Sequence, residues 1–355
     1  MRVVVTGATG NVGSAVLEAL TQRSAVDSIV GLARRLPRPS AGAVEWVRAD
    51  IRDADLASVF RGADAVVHLA WVFQPTHRPL ETWRANVGGT ERVLDAVARA
   101  GVATLVIASS VGAYSPARHD DPVGEDWPTE GWPPAGYMRE KAYVERLVDL
   151  FERDHPDRRV VRMRPAFTFQ RGSAAQQRRL FMGPLVPGSL LRPELVPMLP
   201  VPSGMRLQAV HSDDIGAAYA SAVTGTDVRG AFNLAADPVI DRAKLGELFS
   251  APTVAVPPPA VRAALAIGWR MHLVPAPVEL FDAMMRLPIM DTSRARRELG
   301  WSPQVDAMSA LREVLAGMRS GSGGPTPPLA ADAGGRFRVR EFTSGVGGSD
   351  PVDSD

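Results

Sequence analysis

Two residues set the chemical question. Tyr137 and Lys141 stand four positions apart in a stretch of helical pattern, so both side chains leave the same face of the helix. A phenol titrates at about pH 10 and is a poor base at neutrality. An ammonium beside it favours the phenolate and makes the phenol useful as a general acid or base. Lysine is scarce here: the chain has only Lys141 and Lys244, and its other basic residues are arginine. Ser110 joins the pair. It follows the apolar run Thr104–Ala108, and its hydroxyl can hydrogen-bond a substrate oxygen as charge develops there. Ser109 next to it is assigned to the turn.

Such proton chemistry needs a hydride carrier, and the chain start has the pattern to bind one. Thr6-Gly7-Ala8-Thr9-Gly10-Asn11-Val12-Gly13 follows an apolar run and opens a helix. Gly7 permits a tight turn, Gly10 lets a pyrophosphate approach the backbone, and Gly13 lets helix and strand pack closely. The helix N-terminus, at Asn11 and Val12, then attracts the phosphates. At the end of the second strand stands Ala33-Arg34-Arg35, where an NAD enzyme would carry an acid. With no carboxylate to repel a 2′-phosphate and two guanidiniums to clamp it, NADP is favoured over NAD, which stays possible.

These residues must be held by strands and helices in alternation. Val3–Val5, Ser28–Leu32, Val44–Arg48, Ala65–Leu69, Thr104–Ala108 and Val160–Arg164 read as short buried strands, rich in valine and isoleucine. Val12–Gln22, Thr82–Ala100 and Tyr137–Asp154 read as amphipathic helices between them. The expected fold is α/β, a doubly wound parallel sheet (Rossmann) with a smaller C-terminal α/β substrate-binding domain. Residues 1–168 would form the dinucleotide domain and 169–318 the substrate region, parts of which return to the sheet. Residues 170–205, dense in Pro and Gly, read as irregular loop over a crevice. Val210–Val223 reads as a strand end entering a helix, Ala231–Leu234 as a strand, and Ala243–Phe249, Pro259–Leu273, Val278–Leu287 and Ser309–Met318 as helices. Residues 319–355, run through with Gly, Ser, Pro and Asp, read as a disordered tail.

Composition narrows the function. The net charge is +1 and 22% of residues are charged, which argues against a nucleic-acid surface. Cysteine is absent, so disulfides, thiolate catalysis and cysteine–zinc sites are excluded. No metal site is expected. The first strand candidate, Val3–Val5, starts two residues after Met1, and the apolar stretch from about Ala260 to Leu287 is broken by Arg262, Arg270 and prolines. Neither a secretory leader nor a membrane span is expected, and a cytoplasmic location follows.

With these motifs in place the sequence resembles the extended short-chain dehydrogenase/reductases, in the NAD-dependent epimerase/dehydratase family. The resemblance covers about residues 1–316 and rests on Thr6–Gly13, Asp50-Ile51, His68-Leu69-Ala70, Asn86 within Asn-Val-Gly-Gly-Thr, and Ser110 ahead of Ala113-Tyr114-Ser115. It continues through Tyr137–Lys141, Arg164-Pro165, Val210–Asp214, and Asp291-Thr292-Ser293 before Glu298–Trp301. The resemblance implies that Ser110, Tyr137 and Lys141 are the catalytic triad, with Asn86 supporting them. It implies that Asp50 and Ile51 touch the adenine, and that Leu69, Ala70 and Pro165 line the cofactor. His68 then reads as a structural strand-end residue, and Asp213 and Asp214 as a helix N-cap pair.

Departures from the family bear on the substrate. Sugar dehydratases carry Asp-Glu directly after the hydroxyl residue; here Val111 and Gly112 stand there and cannot transfer protons. Phe167 replaces an Asn common in nucleotide-sugar enzymes. Trp71, Gly112, Phe167 and Phe169 are the candidate substrate-binding residues, and the aromatic three form a wall suited to an apolar or flat molecule. Arg171, Arg178, Arg179, Arg192 and Arg206 lie in the segment expected to cover the pocket, where they could bind phosphates or simply be solvated. The expected function is NADP-preferring hydride transfer between nicotinamide and a carbonyl or secondary alcohol. A nucleotide-sugar epimerase with transiently reduced cofactor is the alternative enzyme, and an NADP-sensing binding protein the alternative outside catalysis. Thr82–Ala100 and Tyr137–Asp154 are the helices through which a homodimer would pair.

Overall fold

The structure, a computed structural model, describes residues 1–38, 42–73, 79–117, 120–181, 197–271, 273–274 and 276–333. Its centre is a seven-stranded sheet built from β1 (Arg2–Thr6), β2 (Ser28–Ala33), β3 (Val44–Arg48), β4 (Ala65–His68), β5 (Thr104–Ala108), β6 (Arg159–Pro165) and β10 (Gly230–Leu234), in the order β10-β6-β5-β4-β1-β2-β3. Every pairing in it is parallel. The chain leaves β1 toward β2 and β3, then crosses back to β4 and continues outward. The strand order therefore reverses between β1 and β4, and a crevice opens there at the carboxyl ends of the strands.

The apolar runs of these strands follow from burial on both faces. Val3, Val5, Val67, Val106 and Val161 pack toward α1 (Asn11–Thr21) and α7 (Ser212–Thr224). Their neighbours Val4, Val66, Leu105, Ile107 and Val160 pack toward α2 (Leu56–Phe60), α4 (Gly89–Ala100) and α5 (Gly136–Asp154). With side chains alternating across the strand, one apolar run feeds two cores.

The helix expected over 82–100 is divided. α3 (Pro79–Trp83) passes through a π-helical turn, Arg84–Gly88, into α4. Gly89 lies against the Ile51 side chain, which would have to shift to admit a Cβ, 2.5 Å from its Cδ1. The wider turn carries Asn86 into the interior, where its side chain is fully buried. Such single π turns commonly mark functional positions.

Beyond β6 the chain forms β7 (Phe167–Phe169), α6 (Ala174–Phe181), β8 (Leu199–Pro202) and β9 (Leu207–His211). The reading of 170–205 as irregular loop is thus corrected at Ala174–Phe181 and Leu199–Pro202; residues 182–196, with Arg192, lie outside the described residues. β7, β9 and β11 (Ala236–Ile240) make a second sheet, and β8 pairs with β12 (Thr253–Val256). α8 (Arg242–Phe249), α9 (Pro258–Arg270), α10 (Val278–Met284), α11 (Ser293–Glu298) and α12 (Ala307–Ser320) complete this part.

The expected tail also needs correction. α12 runs to Ser320, and residues 321–333 fold back onto the body with Leu329 only 1% exposed. Composition misled because Gly323 and Gly324 are there for close packing: a Cβ on Gly323 would lie 2.3 Å from Ala331 N. Residues 334–355 lie outside the described residues. Among the described residues, no helix is long and apolar enough to cross a membrane.

Candidate active site

A cavity of about 610 Å³ opens at the strand-order reversal. Its wall contains the glycine turn, Arg34, Arg35, Asp50, Ile51, Leu69, Ala70, Asn86, Ser110, Tyr137, Lys141 and Pro165, and also Trp71, Gly112, Phe167 and Phe169. The candidate catalytic, cofactor-binding and substrate-binding residues read from the sequence are therefore brought to one crevice. The glycines differ in what they do there. Gly7 has φ +70, and a Cβ on it would lie 2.6 Å from Ala70 N; a Cβ on Gly13 would lie 2.3 Å from Gly7 O. A Cβ on Gly10 would meet only Gly7 O, at 3.4 Å. Gly7 and Gly13 thus serve the fold, while Gly10 keeps the backbone open on its outer side.

α1 begins with no side-chain cap and no acidic residue in its first turn. Its first amides and the positive end of its dipole are available to an anion, which fits a dinucleotide pyrophosphate. Asn11 contributes through its backbone, because its side chain is committed elsewhere. Its Nδ2 donates to Thr168 O (3.0 Å), and its Oδ1 accepts from Ser212 Oγ (2.9 Å) and Gln170 Nε2 (2.8 Å). At the other end of the cavity Arg34 and Arg35 follow β2, and Asp50 and Ile51 follow β3. Partial burial would raise the Asp50 carboxyl. The hydrogen bonds and charge of Arg52 outweigh this and hold it below the usual range. Arg52, which closes on Asp50 at 2.7 Å, adds a third guanidinium that the sequence reading missed.

At the cavity centre, Ser110 caps the short turn Val111–Ala113 by accepting from Gly112 N at 3.0 Å. Ser109 does not serve that turn. Its hydroxyl donates to buried Glu145 at 2.5 Å. Gly112 brings the phenol in: a Cβ there would lie 2.9 Å from Tyr137 Cε1. The Tyr137 ring is packed edge-on against Phe73 and Trp71, with centroids 4.6 Å and 6.0 Å apart. Burial pushes the phenol up to about 12, against a hydrogen bond with Ser110 that draws it down and with Glu140 adding to the rise.

The expectation that Lys141 lowers Tyr137 is not met in the protein alone. Lys141 Nζ donates to Ala108 O at 2.8 Å and lies 3.4 Å from the Trp71 ring centroid, 6.0 Å from that of Tyr137. Burial brings this ammonium down to about 7, with Glu145 and Glu140 opposing the fall. Desolvation therefore dominates both residues.

Buried acids form the support around this pair. Glu140 accepts from Thr82 Oγ1 (2.6 Å) and Asn86 Nδ2 (2.7 Å), and Asn86 also clamps Val72 through both its N–H and carbonyl. Glu145 is held by Arg162 (2.8 Å) and Arg164 (2.9 Å). Burial would raise Glu145, but Arg164, Arg162 and Ser109 bring it down to about 2. These acids were missed; the signal available was Glu145 four residues after Lys141 on a helix whose inner face should be apolar. His68 is buried between Thr6 Oγ1 (2.7 Å) and Thr90 Oγ1 (3.0 Å), and burial with Lys141 lowers it to about 3. It stays neutral and structural.

Asp213 and Asp214 are not the caps of α7. His211 fills that role, while Asp214 accepts from Gln304 N and Val305 N and so ties α7 to the segment before α12. The remaining end of the cavity is apolar, walled by Phe73, Phe181, Leu265, Leu280, Phe281 and Met284. Phe167 and Phe169 lie parallel with centroids 6.5 Å apart. Of the arginines expected over the pocket, Arg179 lines it and donates to Pro328 O (2.8 Å). Arg206 pairs with Asp120, and Arg171 donates to Glu313 and Ser320.

Comparisons with known proteins agree with this architecture. The profile described as "NAD dependent epimerase/dehydratase family" matches residues 3–234. An uncharacterised protein of Mycobacterium tuberculosis is 25% identical over 90% of this chain, which spans 30% of that protein's length. A second uncharacterised protein of the same species is 27% identical over 89% of this chain and 83% of its own. A UDP-glucose 4-epimerase of Streptomyces lividans is 35% identical over 41% of this chain and 46% of its own. Among solved structures, a UDP-glucose-4-epimerase from Stenotrophomonas maltophila with bound NAD aligns at TM-score 0.68 and 22% identity, covering 90% of this chain and 98% of that one. At that identity the likeness concerns the fold.

Proposed function

The chain belongs to the NAD dependent epimerase/dehydratase family, and on that premise we propose that it is an NADP-preferring oxidoreductase for an apolar carbonyl or secondary alcohol. The observation that carries this reading is Tyr137, half-buried in the cavity wall beside Ser110 and Lys141 and packed edge-on against Phe73 and Trp71. When bound, the nicotinamide supplies the hydride donor or acceptor. The protein's own part is proton chemistry and orientation. With its phenol raised to about 12, Tyr137 holds its proton across the neutral range and suits the acid role toward a carbonyl oxygen. Ser110 accepts from Gly112 N and is hydrogen-bonded to Tyr137, which places its hydroxyl beside the phenol to meet the same oxygen. Lys141, pinned by Ala108 and Trp71, presents a cation that titrates close to neutrality.

NADP preference is supported by Arg34, Arg35 and Arg52 around the adenosine end, where the one acid, Asp50, is already bound by Arg52. NADPH and NADH titrations test it, and equal or tighter NADH binding would reject it. The apolar substrate class is supported by the phenylalanines and aliphatic residues of α9 and α10. A panel of aryl and alkyl ketones and aldehydes, set against UDP-sugars, with NADPH oxidation as readout, tests the whole proposal.

The second reading is a nucleotide-sugar epimerase, favoured by the 35% identity to the Streptomyces lividans enzyme over 155 residues. Conversion of a UDP-sugar without net NADPH consumption would establish it. Pairing of two copies through α4 and α5 remains part of the proposal, with solution mass as its check.

A further inference from the structure

The chain beyond α12 returns to the cofactor side of the cavity. Ser322 N donates to Gly317 O (2.8 Å), and Ser322 O accepts from Ala175 N (3.1 Å), which docks the segment on α6. Gly324 N donates to Leu329 O (2.8 Å) and Leu329 N to Thr326 O (3.0 Å), closing a compact loop. Gly324 must be glycine here, since its Cβ would lie 2.8 Å from that of Leu329. The loop delivers two residues to the site. Thr326, 7% exposed, donates its hydroxyl to Thr9 O at 2.7 Å, inside the glycine turn. Pro328 lines the cavity, its carbonyl held by Arg179.

We infer that residues 322–333 are a wall of the dinucleotide site and that Thr326 is a positioning residue for its pyrophosphate cradle. This rests on the reading of the glycine turn as a dinucleotide site. The peptide between Thr9 and Gly10 is planar, so its carbonyl and its amide are fixed together. Thr326 anchors the carbonyl, and Gly7 O anchors the amide at 3.1 Å. Held at both ends, the plane turns its partial negative charge toward the loop and fixes the direction in which α1 starts. The uncapped amides of that first turn are thereby aimed before the ligand arrives, and preorganised donors bind more tightly than ones that must be ordered on binding. The segment lies beyond the 3–234 match to the family profile.

The test uses the full chain with Thr326→Val, which removes the hydroxyl at similar volume, and Thr326→Ser, which restores it. Affinities for NADPH and for 2′-AMP, which has no pyrophosphate, are measured by titration, and NADPH release by stopped flow. Thr326→Val should weaken NADPH about tenfold, mainly through faster release, as loss of one buried hydrogen bond does. It should leave 2′-AMP affinity unchanged, and Thr326→Ser should bind NADPH within about twofold of the parent. A chain ending after Ser320 should lose at least as much NADPH affinity. Undiminished NADPH affinity in Thr326→Val or in the shortened chain overturns the inference, as does equal loss of 2′-AMP and NADPH. If the parent itself binds neither NADPH nor NADH, the dinucleotide reading fails instead.

Discussion

Lys141 Nζ stands 3.4 Å from the centroid of the Trp71 ring, so the lysine of the catalytic set is held by an aromatic face as well as by a backbone carbonyl. A desolvated cation over an indole gains about 2 kcal/mol, which corresponds to roughly 1.5 pKa units. Trp71→Leu removes that stabilisation of the charged form, so the Lys141 pKa should fall from about 7 by roughly one unit or more. The midpoint of NADPH affinity against pH, followed by fluorescence, should move to lower pH with it. A midpoint that stays in place would show that the indole does not hold the charge.

Tyr137→Phe removes the proton that the reaction needs and little else, because the ring keeps its contacts with Phe73 and Trp71. Turnover should drop by about 10²–10⁴ while NADPH affinity stays near the parent value. Steady-state assays beside a binding titration separate the two. Turnover close to that of the parent would remove Tyr137 from the mechanism.

Two glycines of the turn, Gly13 and Gly10, should separate folding from binding. Gly13→Ala forces a Cβ to 2.3 Å from Gly7 O and should destabilise by about 1–3 kcal/mol or more, with cofactor binding lost as well. Gly10→Ala meets only one atom, at 3.4 Å, so its melting temperature should match the parent while NADPH binding fails. Full NADPH affinity in Gly10→Ala would mean that the phosphates do not approach that residue.

Glu145 ties α5 to β6 through two arginines, and its acidity makes a pH prediction. Its pKa falls from 4.5 to about 2 on folding, so the unfolded chain binds more protons between these values and stability should fall as pH drops through that window. Glu145→Gln leaves Arg162 and Arg164 short of a buried counter-charge and should cost about 3–5 kcal/mol at neutral pH. Denaturant unfolding at pH 7 and across the acid range reads both effects. If the variant matches the parent at neutral pH, this network does not support the site.

Lys141 and Tyr137 should shape the alkaline side. The folded Lys141 titrates at about 7 rather than 10.5, so between those values the unfolded chain binds more protons and this residue's contribution rises with pH. Tyr137 keeps its proton to about 12 when folded, so its contribution falls as pH climbs from about 10. Lys141→Met should flatten the rise between pH 7 and about 10, which unfolding curves at a series of pH values would detect.

Much of this protein was determined by local sequence. The strand β5 could be placed to the residue, because a strand buried on both faces is a short uninterrupted apolar run whatever surrounds it; β3 has the bounds expected of it, but as the edge strand it is only partly buried, with Glu45 and Arg48 exposed. The glycine turn, Tyr137, Lys141 and Ser110 were legible because each has a fixed place relative to one strand or helix, and the sheet then delivers all of them to one crevice. Tertiary structure decided what depends on partners distant in sequence. Whether an ammonium tunes a phenol or sits over an indole depends on burial, and burial of Lys141 involves Trp71 and Ala108, each more than thirty positions away. Ser110 caps the turn expected of Ser109, and Ser109 bonds instead to Glu145, which arrives from α5. The segment 321–333 has the composition of a disordered chain, yet its glycines are what allow it to pack, and only the folded surface of α6 and Thr9 gives that packing a partner.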